Sequence, residues 1–118
     1  YECELDWAKR GEEAIQMIER SEKPYDIAFI DLLLPDVSGV EVLRAFKKRM
    51  PEVPAVVVTG AASSTLAMEA AALGIVGLFS KPVSVDALRN VFNVYKIRMR
   101  DKFGSAYFQR KREHPVFF

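Results

Sequence analysis

Ile27-Ala28-Phe29-Ile30-Asp31-Leu32-Leu33-Leu34-Pro35-Asp36-Val37-Ser38-Gly39 is the stretch that decides how this chain folds. Its first four residues are an unbroken apolar run introduced by the proline-containing turn Lys23-Pro24-Tyr25, the pattern of a strand buried on both faces. A carboxylate follows at once, and Pro35 and Gly39 then frame a tight loop. Exposing all three leucines of that loop would cost hydrophobic free energy, so at least two of them are expected to pack beneath it.

The same grammar recurs downstream. Ala55–Val58, entered through Pro51-Glu52-Val53-Pro54, is a second buried strand, and Thr59-Gly60 follows it. Ile75–Phe79 reads as a third buried strand, interrupted by Gly77 and stopped at Ser80-Lys81-Pro82, where proline removes a donor and favours an extended residue before it. Between the runs, apolar residues recur three and four positions apart, as on a helix. Ala14, Met17 and Ile18 mark one helix. Val40, Val42, Leu43 and Phe46 mark a second, which starts near Ser38-Gly39 and ends in Lys47, Lys48 and Arg49, cations placed against the negative end of its dipole. A third spans Thr65–Leu73 and stops at Gly74. The fourth has Ser84 as N-cap and continues through Leu88, Val91 and Phe92. Upstream, Tyr1, Cys3 and Leu5 alternate with Glu2 and Glu4, as in an edge strand with one wet face. Strands alternating with helices give an α/β fold with a parallel sheet covered on both sides.

Bulk properties fit one domain: 118 residues, 50% apolar and 28% charged. There is no run of roughly 20 apolar residues to cross a bilayer and no opening signal peptide, so a cytoplasmic setting without a membrane partner is expected. The single cysteine, Cys3, excludes an intramolecular disulfide and a cysteine-built metal site. Charge is uneven. Residues 1–95 carry ten basic and fourteen acidic side chains, whereas residues 96–118 carry seven basic and two acidic. The expected division is a domain over residues 1–97 and a basic, aromatic extension or linker over residues 98–118.

Asp31, Thr59 and Lys81 each stand directly after an apolar strand. In an open parallel sheet, ligands bind beyond the carboxyl ends of the strands, so a carboxylate, a hydroxyl and an ammonium would converge on one crevice. The carboxylate can attack phosphorus and form an aspartyl phosphate. Lysine then acts as a point charge against phosphate oxygens, and the hydroxyl donates one hydrogen bond. Taken singly, each has a plainer reading: Asp31 as a turn residue, Thr59 bonded to local backbone, Lys81 as a solvated lysine. Their joint placement at three consecutive strand ends favours the site.

Asp31 with Pro35 and Gly39, then Thr59-Gly60, then Lys81-Pro82, in this order and spacing, resemble the receiver domain of bacterial response regulators. Gly11-Glu12-Glu13-Ala14 is similar to the opening of that family's second helix, and the match covers roughly residues 1–95. The resemblance implies a flavodoxin-like doubly wound sheet and a non-enzymatic phosphorelay switch, in which a sensor histidine kinase transfers a phosphoryl group to Asp31. It implies Mg²⁺ held in part by Asp31 and the backbone carbonyl of Leu33, phosphate contacts from Thr59 and Lys81, and a cis peptide before Pro82. It also implies an output domain or effector, and a homodimeric partner. The family's first strand and first helix, with the acidic pair that completes the metal site, match nothing here, so the chain is expected to be a piece lacking that pair. Unless Pro115-Val116-Phe117-Phe118 or a neighbour fills the gap, weak stability follows from the unpaired backbone. Leu78 stands where the family has a switching aromatic.

Other readings compete with this one. A pseudo-receiver that binds a partner without phosphorylation fits Leu78 and the missing acids. A phosphatase of the haloacid dehalogenase type would need Asp-x-Asp, and Leu33 occupies the second acidic position. No Gly-x-Gly-x-x-Gly follows a strand, which argues against a dinucleotide site. His114 is read as neither phosphodonor nor ligand, and Trp7 and Tyr25 as packing residues. Arg110-Lys111-Arg112 with Phe103, Tyr107 and Phe108 could touch nucleic acid, although a helix extension or a linker toward an output domain fits them better.

Overall fold

In the computed structural model the elements run β1 (Asp6–Trp7), α1 (Gly11–Arg20), β2 (Ile27–Ile30), α2 (Gly39–Arg49), β3 (Ala55–Thr59), α3 (Thr65–Leu73), β4 (Gly77–Ser80), α4 (Val85–Phe103) and β5 (Pro115–Phe117). The structure describes residues 6–60, 64–103 and 114–118, with only the helical backbone for 97–103. The strand expected over Tyr1–Leu5 and the cluster Arg110-Lys111-Arg112 lie outside the described residues.

All five strands are parallel, in the order β1-β5-β2-β3-β4. Every residue of β2 and β3 is buried, because helices cover both faces of the middle of the sheet. The two-residue pleat divides them. Ala28, Ile30 and Val57 face a core shared with α1, α2 and α3, where Ile18, Leu43 and Phe46 are fully buried. Ile27, Phe29, Val56 and Val58 face the opposite side, against Leu88, Val91 and Phe92 of α4. Each large side chain sealed in this way stabilises the fold by about 1.5–3 kcal/mol.

The helix ends follow local chemistry. Ser64 Oγ accepts the Ala67 N–H at 3.3 Å and Ser84 Oγ accepts the Ala87 N–H at 3.0 Å. Gly74 ends α3 with φ of 92°, a left-handed backbone that other residues adopt only with strain.

Two expectations need correction. β4 is an edge strand rather than a buried one: among the described strands it pairs with β3 alone, its burial alternates, and Leu78 is 41% exposed. More consequential is the chain's end, read above as part of an extension or linker. Its last residues form β5, inserted between β1 and β2 and parallel to both, with Val116 opposite Asp6 on one side and Ala28 on the other. Val116 and Phe118 are buried in the first core, while Phe117 stacks on Phe29 with ring centroids 4.8 Å apart. The flavodoxin-like order is 2-1-3-4-5. Here β5 sits in the place of that order's first strand, so the gap expected from the sequence is filled from the far end of the same chain.

Candidate functional site

Because β2, β3 and β4 are parallel, their carboxyl ends lie along one edge of the sheet. Asp31 leaves β2 there, Thr59 ends β3, and Lys81 follows β4. Lys81 Nζ lies 2.6 Å from Asp31 Oδ2, and the lysine side chain is half-exposed. The other carboxylate oxygen of Asp31 accepts the Leu33 N–H at 3.0 Å, and the Asp31 N–H donates to the Phe118 carbonyl at 3.3 Å. The Asp31 carboxylate is thus oriented from both sides while part of it stays open to solvent. It opens on a cleft of about 490 Å³ whose walls include Trp7, Leu33, Pro35, Lys81 and Phe117.

Thr59 is positioned differently. It pairs in register with Ser80 and its carbonyl accepts the Lys81 N–H at 3.0 Å, so its backbone is part of the site's frame. Its side chain is fully buried and is not on the cleft wall. The structure therefore brings the carboxylate and the ammonium together and sets the hydroxyl behind them.

The supporting residues are placed by steric demand. A Cβ on Gly39 would stand 2.0 Å from the Asp31 carbonyl oxygen and 2.6 Å from Leu32 Cα, distances no side chain tolerates. This close approach lets the Gly39 N–H reach the Leu32 carbonyl at 2.9 Å and lets Leu33 and Ser38 form an antiparallel bridge, which closes the loop on itself. Of the three leucines, Leu32 is fully buried, Leu34 packs against the core, and Leu33 is 56% exposed. The Lys81–Pro82 peptide is cis. Gly60 is exposed, and among the described residues nothing lies within 4 Å of where its Cβ would stand.

Asp36 escaped the sequence reading except as part of the loop. Its Oδ1 accepts the Gly11 N–H at 2.7 Å and its Oδ2 accepts the Glu12 N–H at 2.9 Å. These backbone donors, Glu12 first, hold its carboxyl down to about 2. Neighbouring residues carry no signal for the contact. The one hint is that α1 begins at Gly11 after Arg10, a residue type that cannot cap a helix with a side-chain acceptor.

A magnesium site needs several oxygen ligands around one point. Asp31 and Leu33 both line the cleft, but among the described residues no group of three or more His, Cys, Asp or Glu side chains could hold a metal. The described residues do not by themselves fit Mg²⁺. No helix among them is long and apolar enough to cross a membrane.

Comparison with known proteins agrees with this geometry. Residues 1–93 match the family described as response regulator receiver domain. Regulatory protein LuxO of Vibrio cholerae is 40% identical over 83 residues, which is 70% of this chain and 18% of that protein. The chain thus spans about a fifth of the length of this relative. The signal receiver domain of a putative Luxo repressor protein from Vibrio parahaemolyticus superposes with a TM-score of 0.66 at 28% identity, over 80% of this chain and 72% of that one. The receiver domain of sensor histidine kinase PA1611 from Pseudomonas aeruginosa, whose active-site cleft coordinates a magnesium ion, superposes with a TM-score of 0.63 at 21% identity, over 75% and 72% of the two chains. A parallel sheet in the receiver order, with an aspartate and a lysine joined at its carboxyl edge, and a family match over most of the length lead to one conclusion: the chain belongs to the response regulator receiver domain family, the phosphorylation-switched module of two-component signalling.

Proposed function

We propose that Asp31 is the residue of this receiver domain that accepts the phosphoryl group, from a phosphohistidine of a sensor kinase. The observation that carries the assignment is the 2.6 Å contact between Lys81 Nζ and Asp31 Oδ2 at the mouth of the cleft. An oxygen of the Asp31 carboxylate attacks phosphorus, a P–O bond forms as the P–N bond breaks, and the departing imidazole takes up a proton. Lys81 then turns its charge from the carboxylate to the phosphoryl oxygens. Thr59 donates its hydroxyl to another of those oxygens once the end of β3 moves toward it. Pro35, Gly39, Gly60 and Pro82 shape the surrounding loops. Mg²⁺ belongs to the family's chemistry; in this chain Asp31 and the Leu33 carbonyl are the residues that would share in holding it. An output domain or effector reads the switch.

Incubation of the full-length protein with acetyl phosphate and Mg²⁺, followed by intact mass measurement, tests the assignment. One added phosphoryl group is expected, and none on Asp31→Ala. Equal labelling of the alanine variant would remove Asp31 from the role.

A second reading, a pseudo-receiver that docks a partner without phosphorylation, draws on Leu78. This residue stands on the outer strand where the family has a switching aromatic, and it is 41% exposed. A parent chain that takes up no phosphoryl group under these conditions favours this second reading.

A further inference from the structure

The segment from Asp31 to Gly39 is a loop, yet it must hold a nucleophilic carboxylate in one place. Its two ends are fixed by β2 and by the Gly39–Leu32 contact, and the Leu33–Ser38 bridge closes it. Its middle is tied elsewhere. Asp36 reaches across to the start of α1 and receives two consecutive N–H groups, one on each carboxylate oxygen, at 2.7 and 2.9 Å. The first N–H groups of a helix have no partner within it and lie at its positive end, so a carboxylate there is doubly matched. No side chain at the head of α1 does this work: Arg10, at the cap position, makes no side-chain capping bond. The fit is close as well. A Cβ on Gly11 would lie 2.1 Å from Val37 Cγ2 and 3.2 Å from Asp36 Oδ1, so only glycine lets the loop sit against the helix.

We infer that Asp36 is a positioning residue for phosphoryl acceptance: by clamping the middle of the loop to α1 it fixes Leu33, whose N–H orients Asp31 Oδ1 while Oδ2 faces Lys81. This rests on the reading of Asp31 as phosphoacceptor. A clamp of this kind is distinguishable from a simple helix cap. A cap for α1 alone contributes to stability but leaves the folded loop, and therefore the reaction at Asp31, unchanged. A clamp also changes how well the carboxylate is held in the folded protein.

The test uses the full-length protein as parent, with Asp36→Ala and Asp36→Asn, at a temperature where circular dichroism shows all three folded. The probes are phosphoryl uptake from acetyl phosphate with Mg²⁺ and amide hydrogen exchange at Leu33. Asparagine offers one carbonyl oxygen and sets an NH₂ against the second N–H, so it restores one bond of the two. Uptake by Asp36→Ala should fall on the order of tenfold, below the roughly hundredfold that an ångström of misplacement can cost. Asp36→Asn should lie between it and the parent. Leu33 exchange should quicken in the same order while Val56–Val58 stay protected. Uptake by Asp36→Ala at the parental rate, or unchanged exchange at Leu33, overturns the inference. If the parent takes up nothing, the assignment of Asp31 fails, and Leu33 exchange alone decides the clamp. If Asp36→Ala does not fold, the asparagine variant decides in its place.

Discussion

The Asp36 carboxylate accepts the Gly11 and Glu12 N–H groups, which makes its charge a stability coordinate as well as a positional one. Its folded value of about 2 lies below the ordinary 3.8 because protonation would weaken both backbone bonds. A carboxyl whose folded value is depressed contributes stability that is fully present above its unfolded value and is lost as pH falls through the folded one. The window here runs from roughly pH 4 down to about 2. Other carboxylates titrate in the same range, so the informative quantity is a difference between variants. The expected result is that the melting temperature of the parent falls more steeply over this window than that of Asp36→Asn, whose amide does not titrate. Parallel curves would show that the bonds do not depend on the charge. At this scale the sequence was partly legible. Asp31 and Lys81 could be found because each follows an apolar run whose direction fixes where its side chain emerges. That Thr59 is fully buried could not be read from its position. Asp36 was invisible because its partners lie 25 and 24 residues away and are backbone groups, which carry no residue identity.

Elements with a strong periodic signal or a local stop were readable, and those whose existence depends on a neighbour were not. α3 falls over Thr65–Leu73 as its alanine-rich run and Gly74 require, and Ser84 caps α4. β5 is the contrary case. Three residues opening with proline are too short for any period to show, and proline is tolerated only because the first position of a strand can do without an N–H. What makes the segment a strand is the pair of free edges on β1 and β2. There the Phe118 N–H donates to the Phe29 carbonyl at 2.8 Å, the Ala8 N–H to the Phe117 carbonyl at 2.9 Å, and the Asp26 N–H to the His114 carbonyl at 3.0 Å. The His114 ring meets Asp6 Oδ2 at 2.8 Å and packs edge-on against Tyr25. Side chains then separate the two faces. Phe118, 4% exposed, meets Tyr25 and Phe46 edge-to-face, whereas Phe117 stacks on Phe29 at the margin of the cleft. Phe118→Ala should therefore lower unfolding free energy by about 3–5 kcal/mol, the cost of emptying a filled aromatic site, and Phe117→Ala by less. Urea titration of both variants checks this, and equal losses would mean that the two sides of β5 are equally loaded.

For the molecule as a whole, the wiring of the sheet makes its last residues more important than their number suggests. β1 has one partner among the described strands, β5, and reaches β2 only through it. The first core takes in Val116 and Phe118 together with residues of α1, α2 and α3, so that core and the site at Asp31 share one boundary strand. Removing residues 114–118 takes away a valine and a phenylalanine whose burial stabilises by about 1.5–3 kcal/mol each. It also leaves the Ala8, Asp26 and Asp31 N–H groups without the carbonyls that accept them in the intact sheet. Of these three residues Ala8 is buried and the other two are half-buried, and a buried donor left unsatisfied adds about 1–3 kcal/mol. Against a typical domain stability of roughly 5–15 kcal/mol, the sum is large enough to abolish a unique packed state rather than to loosen one edge. A chain ending at residue 113 is therefore expected to lose its cooperative thermal transition by circular dichroism and to bind a hydrophobic dye, with the β2–β3 pair surviving only as residual strand signal. A transition as sharp as the parent's and at the same temperature would show that β1 and the first core hold without the fifth strand, and that the filled gap is an accessory rather than the keystone of this receiver domain.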